Sequence, residues 1–214
     1  MLKRRLFAAA LALVVPLSPR PEAAEVGGGG AGRGRAQDHV ALEEVRRPAE
    51  VLSWLGLERG DRVLDYFTGS GYYAEIMARA VGPEGAVFAT NPPPFMGNER
   101  IRTALAGVRE RAPNAAFYAM PVDSLGLPAD SFDFVMLHLV YHDAYWESDR
   151  FNLPRIDPNT VTSAIFDATR PGGTVAVIDH VANPGRETRA EVEATHRIDP
   201  ALIPADFERA GVVF

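Results

Sequence analysis

Five runs of almost wholly apolar residues, at 62–67 (RVLDYF), 86–90 (AVFAT), 115–120 (AAFYAM), 132–140 (FDFVMLHLV) and 174–179 (TVAVID), are separated by segments with apolar residues at helical spacing. A strand apolar on nearly every residue is buried on both faces, and strands that alternate with helices are joined by crossovers that lay them parallel. The pattern predicts an α/β chain, a doubly wound and mostly parallel sheet, with helices over about 40–57, 72–81, 98–111, 158–169 and 200–210. Ligands of such sheets collect beyond the carboxyl ends of the strands, so residues that follow each run become the functional candidates.

Composition narrows the chemistry. The 214 residues, 47% hydrophobic and 23% charged, suffice for one sizeable core. A net charge of −6 argues against a phosphate-neutralising surface, so nucleic acid is not expected as a partner. Cysteine is absent, which removes disulfides, zinc–thiolate centres and thiol nucleophiles. The N-terminus reads as a separate object. Lys3, Arg4 and Arg5 precede an uncharged stretch at 6–17, the order of a signal peptide and too short to span a bilayer comfortably. The expected organisation is a signal peptide or membrane tether over 1–24, a flexible Gly/Pro/Arg linker over 25–37 and a folded domain over 38–214. The protein is then exported or tethered if that signal is genuine, and cytoplasmic otherwise.

The first run passes into its helix through Asp65, Phe67, Gly69 and Gly71. Glycines there let backbone approach a ligand, and the helix N-terminus offers free amides. The bland alternatives are a helix cap for Asp65 and a plain tight turn for the glycines. Gly69, Gly71 and Ala74 also satisfy a G-x-G-x-x-A dinucleotide pattern, but that pattern wants an acid after the second strand, where this chain has Asn91.

Taken together these motifs resemble the class I S-adenosylmethionine-dependent methyltransferases, whose first motif is D-x-G-x-G-x-G. Asp65, Gly69 and Gly71 match it and Phe67 replaces the first glycine; Asp123 in DSLGLP stands ahead of SFDFV; RPGGTVAVID begins at Arg170. The resemblance covers about 48–214 and implies a Rossmann-like fold with S-adenosylmethionine as cofactor. It also implies that Asp65 and the glycine turn hold the methionine part, that Asn91 meets the ribose and that Asp123 meets adenine. A narrower resemblance, to predicted and often signal-bearing methyltransferases of unknown substrate, rests on Gly71-Tyr72-Tyr73, Tyr141-His142-Asp143 and His196-Arg197-Ile198-Asp199. The family closes its sheet with a sixth strand and an antiparallel seventh, whereas this chain stops at Phe214. The final hairpin is therefore expected to be missing, leaving a bare sheet edge open to homodimerisation.

Methyl transfer to oxygen or nitrogen needs alignment and a proton acceptor. His142 or Asp143 is the preferred base, with His180 or His196 as partner, because all follow the fourth and fifth runs and imidazole titrates near neutrality. His138, within a run, reads as a core or wall residue. Asp143, Asp179 and His180 would alternatively suit a divalent cation, as in catechol-type relatives; the preferred reading assigns no metal. Residues 144–157, polar and interrupted by proline, read as a lid. The expected function is methyl transfer to a small-molecule acceptor. An NAD(P)-linked oxidoreductase and an inactive binding protein on the same fold are the alternatives.

Overall fold

The computed structural model describes residues 5–8, 37–183 and 185–213. The expected linker, apart from Gln37 at the start of a helix, and most of the expected signal segment lie outside them. Six strands form one parallel sheet: β1 (Arg5–Ala8), β2 (Arg62–Tyr66), β3 (Ala86–Asn91), β4 (Ala115–Ala119), β5 (Phe132–His138) and β6 (Thr169–Ile178), in the order β1-β6-β5-β2-β3-β4. The helices are α1 (Gln37–Arg46), α2 (Pro48–Leu55), α3 (Tyr72–Val81), α4 (Pro93–Met96), α5 (Glu99–Arg111), α6 (Pro158–Ala168), α7 (Thr188–Thr195) and α8 (Leu202–Ala210).

Successive strand residues point to opposite faces, and this divides the core into two layers. Val63, Phe134, Met136 and Ala176 face α2, α3 and α5, with Leu52, Leu55, Met77 and Val108 buried between. Leu64, Val135, Leu137, Val175 and Val177 face α6 and α8, packed on Ile165 and Phe207. The chain winds outward from β2 through β3 to β4, then returns to place β5 on the other side of β2. The crevice between β2 and β5 is thus the switch point, where a doubly wound sheet offers room for a ligand. It brings the turn after β2 beside the segment after β5.

Four features differ from expectation. The single helix expected over 40–57 is two, because Pro48 disfavours helical geometry at the preceding residue and Arg47 takes a left-handed φ of 43°. Strand β6 begins at Thr169, ahead of the expected Pro-Gly-Gly turn, and its register against β5 shifts between Phe132 and Phe134. Helix α7 was not anticipated. Finally, the outer edge of β6 is not bare. Residues 5–8, part of the presumed signal segment, pair with it from Arg5↔Thr174 to Ala8↔Val177. Among the described residues no helix is long and apolar enough to cross a membrane.

Candidate active site

The turn after β2 is held open from below. Thr68 N–H donates to Thr90 O at 2.8 Å and Phe67 N–H to Thr90 Oγ1 at 3.2 Å, tying the turn to the end of β3. Asn91, 1% exposed, completes the clamp: Gly69 N–H donates to its Oδ1 and its Nδ2 donates to Gly69 O, both at 2.9 Å. Its amide is therefore turned to the chain instead of outward, which differs from the ribose contact that the resemblance implies. An amide suits this place because a carboxylate could accept from Gly69 N–H but would repel Gly69 O.

Phe67 takes a φ of 56°, the left-handed region that a glycine enters freely and a bulky residue does not. That conformation accounts for a glycine at this place in the motif. Holding phenylalanine there costs on the order of 1–3 kcal/mol, offset in part by an edge-on contact with Phe95 at 4.8 Å. At Gly69, φ is 60° and a Cβ would meet nothing within 4 Å; at Gly71 it would crowd Leu105 at 3.0 Å. Gly69 thus leaves clear space over the turn, while Gly71 permits close packing of α5.

Asp65 is buried at 2% exposure and accepts from Thr68 Oγ1 at 2.5 Å. Burial pushes its carboxyl up to about 7, against the lowering effect of the bonds from Thr68 and the Ala74 backbone. A ligand ammonium beside it would restore the ionised form. Beyond β3 and β4 opens a cleft of about 550 Å³, walled by residues 92–94, 121–123, 148–149 and 152–154. Asp123 lines it and is exposed. The expected lid forms its far wall, so it stands over this cleft through the 3-10 turn Asp149–Phe151.

On the other side of the switch point, the 3-10 turn Tyr141–Tyr145 follows β5. His142, 5% exposed, meets Asp179 Oδ1 through Nδ1 at 2.8 Å and donates its backbone N–H to Asp179 Oδ2 at 2.9 Å. An ionised Asp179 fixes the proton on Nδ1 and leaves Nε2 as the reactive atom. That Nε2 lies 3.3 Å from Asp143 Oδ1, and the His196 ring stands edge-on at 5.5 Å. Burial, the largest single influence on the imidazole, lowers its pKa, but the Asp179 bond and the charges of Asp143 and Asp179 together raise it above the ordinary value. Burial likewise pushes Asp143 up to about 6, with His142 acting the other way and Asp179 adding to the rise.

The structure thus gathers His142, Asp143, Asp179 and His196. The exposed ring of His180 does not join them; its backbone N–H donates to Asp179 Oδ1 at 2.7 Å. The cation site considered above, Asp143 with Asp179 and His180, is accordingly not assembled, since both Asp179 oxygens are committed to His142 and to backbone. His138 forms wall, its ring 4.4 Å from that of Tyr73, and burial holds it down at about 3, with Arg46 the next influence in the same direction.

A family profile described as a methyltransferase domain matches residues 57–208, most of the chain. The chain belongs to this methyltransferase family. Among solved structures, it is similar to an S-adenosylmethionine-dependent methyltransferase from Aquifex aeolicus, with 22% identity and a TM-score of 0.61 over 80% of this chain and 82% of that one. It is also similar to an arsenic(III) S-adenosylmethionine methyltransferase from Chlamydomonas reinhardtii, with 22% identity and a TM-score of 0.55 over 73% of this chain and 52% of the other. These likenesses establish the fold. A protein-L-isoaspartate O-methyltransferase from Ignicoccus hospitalis is 51% identical over 80 residues, which cover 31% of this chain and 37% of that protein's length.

The methyltransferase has the class I fold, that of S-adenosylmethionine-dependent enzymes such as the Aquifex one. The turn fits S-adenosylmethionine, with clear space over Gly69, a buried acid beneath it and an adjoining cleft with Asp123. The oxidoreductase alternative falls with the family assignment. Sequence reasoning missed two contributors to the site of this methyltransferase. His39 on α1 reaches Ser70 Oγ in the turn at 2.9 Å, although a lone histidine far from the motifs gives no signal. Helix α7 pins the lid. Glu193 accepts from Trp146 Nε1 at 2.6 Å, and Arg189 donates to Tyr145 O at 3.0 Å and Ile156 O at 2.7 Å.

Proposed function

We propose that the methyltransferase acts on the oxygen or nitrogen of a small molecule that gives up a proton as it is methylated, with His142 as the proton acceptor. S-adenosylmethionine supplies the methyl group as an electrophile on a sulfonium. Asp65 and the glycine turn seat its amino-acid end, and Asp123 meets the base end in the cleft. The observation that carries the reading is the His142–Asp179 bond, which favours the proton on Nδ1 and leaves Nε2, 3.3 Å from Asp143 Oδ1, as the basic atom. Asp143 stabilises the imidazolium that forms. A carboxylate acceptor, such as an isoaspartyl side chain, arrives already ionised and needs no such group. The donor is made and kept in the cytosol, so the working domain belongs on that side, whatever the N-terminal segment does.

The test is methyl transfer from labelled donor to a panel of phenols and amines, with an isoaspartyl peptide alongside. His142→Gln should leave the affinity for S-adenosylhomocysteine within about twofold and lower kcat roughly a hundredfold or more. Methylation of the peptide alone, at an undiminished rate in that variant, would sink the proposal.

A further inference from the structure

Two imidazoles and a carboxylate converge beyond the end of β5. One side-chain donor atom from each of His142, Asp143 and His196 lies within 4.8 Å of the other two. Separate elements bring them there: His142 and Asp143 are neighbours in the 3-10 turn after β5, and His196 follows the last residue of α7 with a left-handed φ of 49°. His196 is held from both sides. The Trp146 ring meets its ring edge-on at 4.8 Å, and Glu193 fixes Trp146 through the indole N–H. Two residues on, Ile198 N–H donates to His180 O at 2.9 Å, which ties the segment to the chain just past β6.

The donors are arranged as a ligand set. Asp179 bonds His142 Nδ1 at 2.8 Å, and a carboxylate so placed orients a ligating imidazole and raises the basicity of its far nitrogen. That far nitrogen, Nε2, stands 3.3 Å from Asp143 Oδ1, close to the edge of about 3.4 Å in a tetrahedron with metal–ligand bonds of about 2.1 Å. The exposed ring of His196 closes the remaining gap by rotation and leaves the fourth position open to solvent. Asp143 and Asp179 together bring two negative charges to a dication. Two imidazoles with one carboxylate favour zinc, cobalt or nickel over magnesium and calcium, which take oxygen ligands. The set shares Asp143 with the cation site excluded above, but leaves Asp179 on the imidazole that it orients.

We propose that His142, Asp143 and His196 bind a divalent transition cation, zinc by their chemistry, and that the bound cation holds the methyltransferase inactive by occupying Nε2. The first half stands on the cluster alone; the second rests on the reading of His142 as the proton acceptor. The full chain, prepared without a histidine tag and stripped with a chelator, is titrated with Co²⁺, whose visible absorption reports its ligands, and with Zn²⁺ in competition. One equivalent of Co²⁺ should give the bands of a four-coordinate site, Zn²⁺ should abolish them, and Mg²⁺ should not. His196→Gln and Asp179→Asn should each weaken the site about tenfold or more, whereas His180→Gln should leave it unchanged. In ¹⁵N-histidine spectra, Zn²⁺ should shift Nε2 of His142 while Nδ1 keeps its proton. Absence of a one-to-one site, or equal affinity in wild type and His196→Gln, overturns the proposal. Saturating Zn²⁺ should also stop methyl transfer, and chelator should restore it. Zinc seated on Nε2 with the rate undiminished would leave the metal site standing and overturn the proton-acceptor reading instead.

Discussion

At the scale of single residues, the site turns on how one imidazole is held. Asp179 bonds both the ring and the backbone of His142, so its carboxylate sets orientation and basicity together. Only the neutral imidazole accepts a proton, and the group's pKa is raised, so the rising limb of kcat/KM against pH should lie above 6.5, the ordinary value for histidine. Asp179→Asn removes the charge that favours the imidazolium. The limb should then move to lower pH while the plateau falls, roughly a hundredfold or more, because the ring loses its fixed tautomer. A limb that stays in place in Asp179→Asn would show that another group sets it. The sequence drew attention to His142 and Asp143 because they closely follow β5 in an α/β sheet, whereas His196, which ends helix α7, stood out only through the HRID motif. It could not reveal that Asn91 turns its amide back onto Gly69, since a side chain's direction at a strand end depends on what stands across the sheet.

At the scale of elements, the lid is latched to the last helix through one carboxylate. Tyr141 and Tyr145 donate from their hydroxyls to Asp206 Oδ2 at 2.6 and 2.5 Å, and Arg209 pairs with the other oxygen. Asp206 is 1% exposed and Tyr141 fully buried, so the Tyr141 hydroxyl finds no water if the carboxylate is removed. Asp206→Ala should destabilise the fold by about 2–3 kcal/mol, read as a lower urea midpoint with unchanged slope. Tyr145→Phe, at a half-buried hydroxyl, should cost less. An alanine variant as stable as wild type would mean the latch adds nothing. Elements of this kind were unevenly legible. The strands declared themselves by unbroken apolar runs, and α3 and α8 by helical spacing with glycines after them. Helix α7, at TRAEVEAT, is polar over most of its surface and buries only Glu191 and Val192, so no apolar stripe betrays it. Helices α1 and α2 read as one because the pattern continues through Arg47, where the proline that follows forces a break.

At the scale of the whole molecule, residues 5–8 are claimed by two incompatible uses. As strand β1 they supply the last hydrogen-bonded partner of β6; as the start of a signal or tether they would be drawn away from the sheet. The expectation of a bare edge followed from treating that segment only as an address. Its apolar character suits a buried strand as well as a signal core, and period alone does not separate a short strand from such a segment. Deleting residues 1–36 uncovers the edge of β6 along Thr174, Val175, Ala176 and Val177, where unpaired amides and carbonyls then face solvent. A parallel strand stripped of its neighbour offers a template for another chain. The shortened protein should therefore associate more strongly than the full chain, read as a mass by light scattering that rises with concentration. Backbone amides at 174–177 should also exchange with deuterium faster than in the full chain. If both proteins scatter alike and exchange alike at those positions, residues 5–8 do not cover the edge in solution, and the segment is left to its role as a signal or tether.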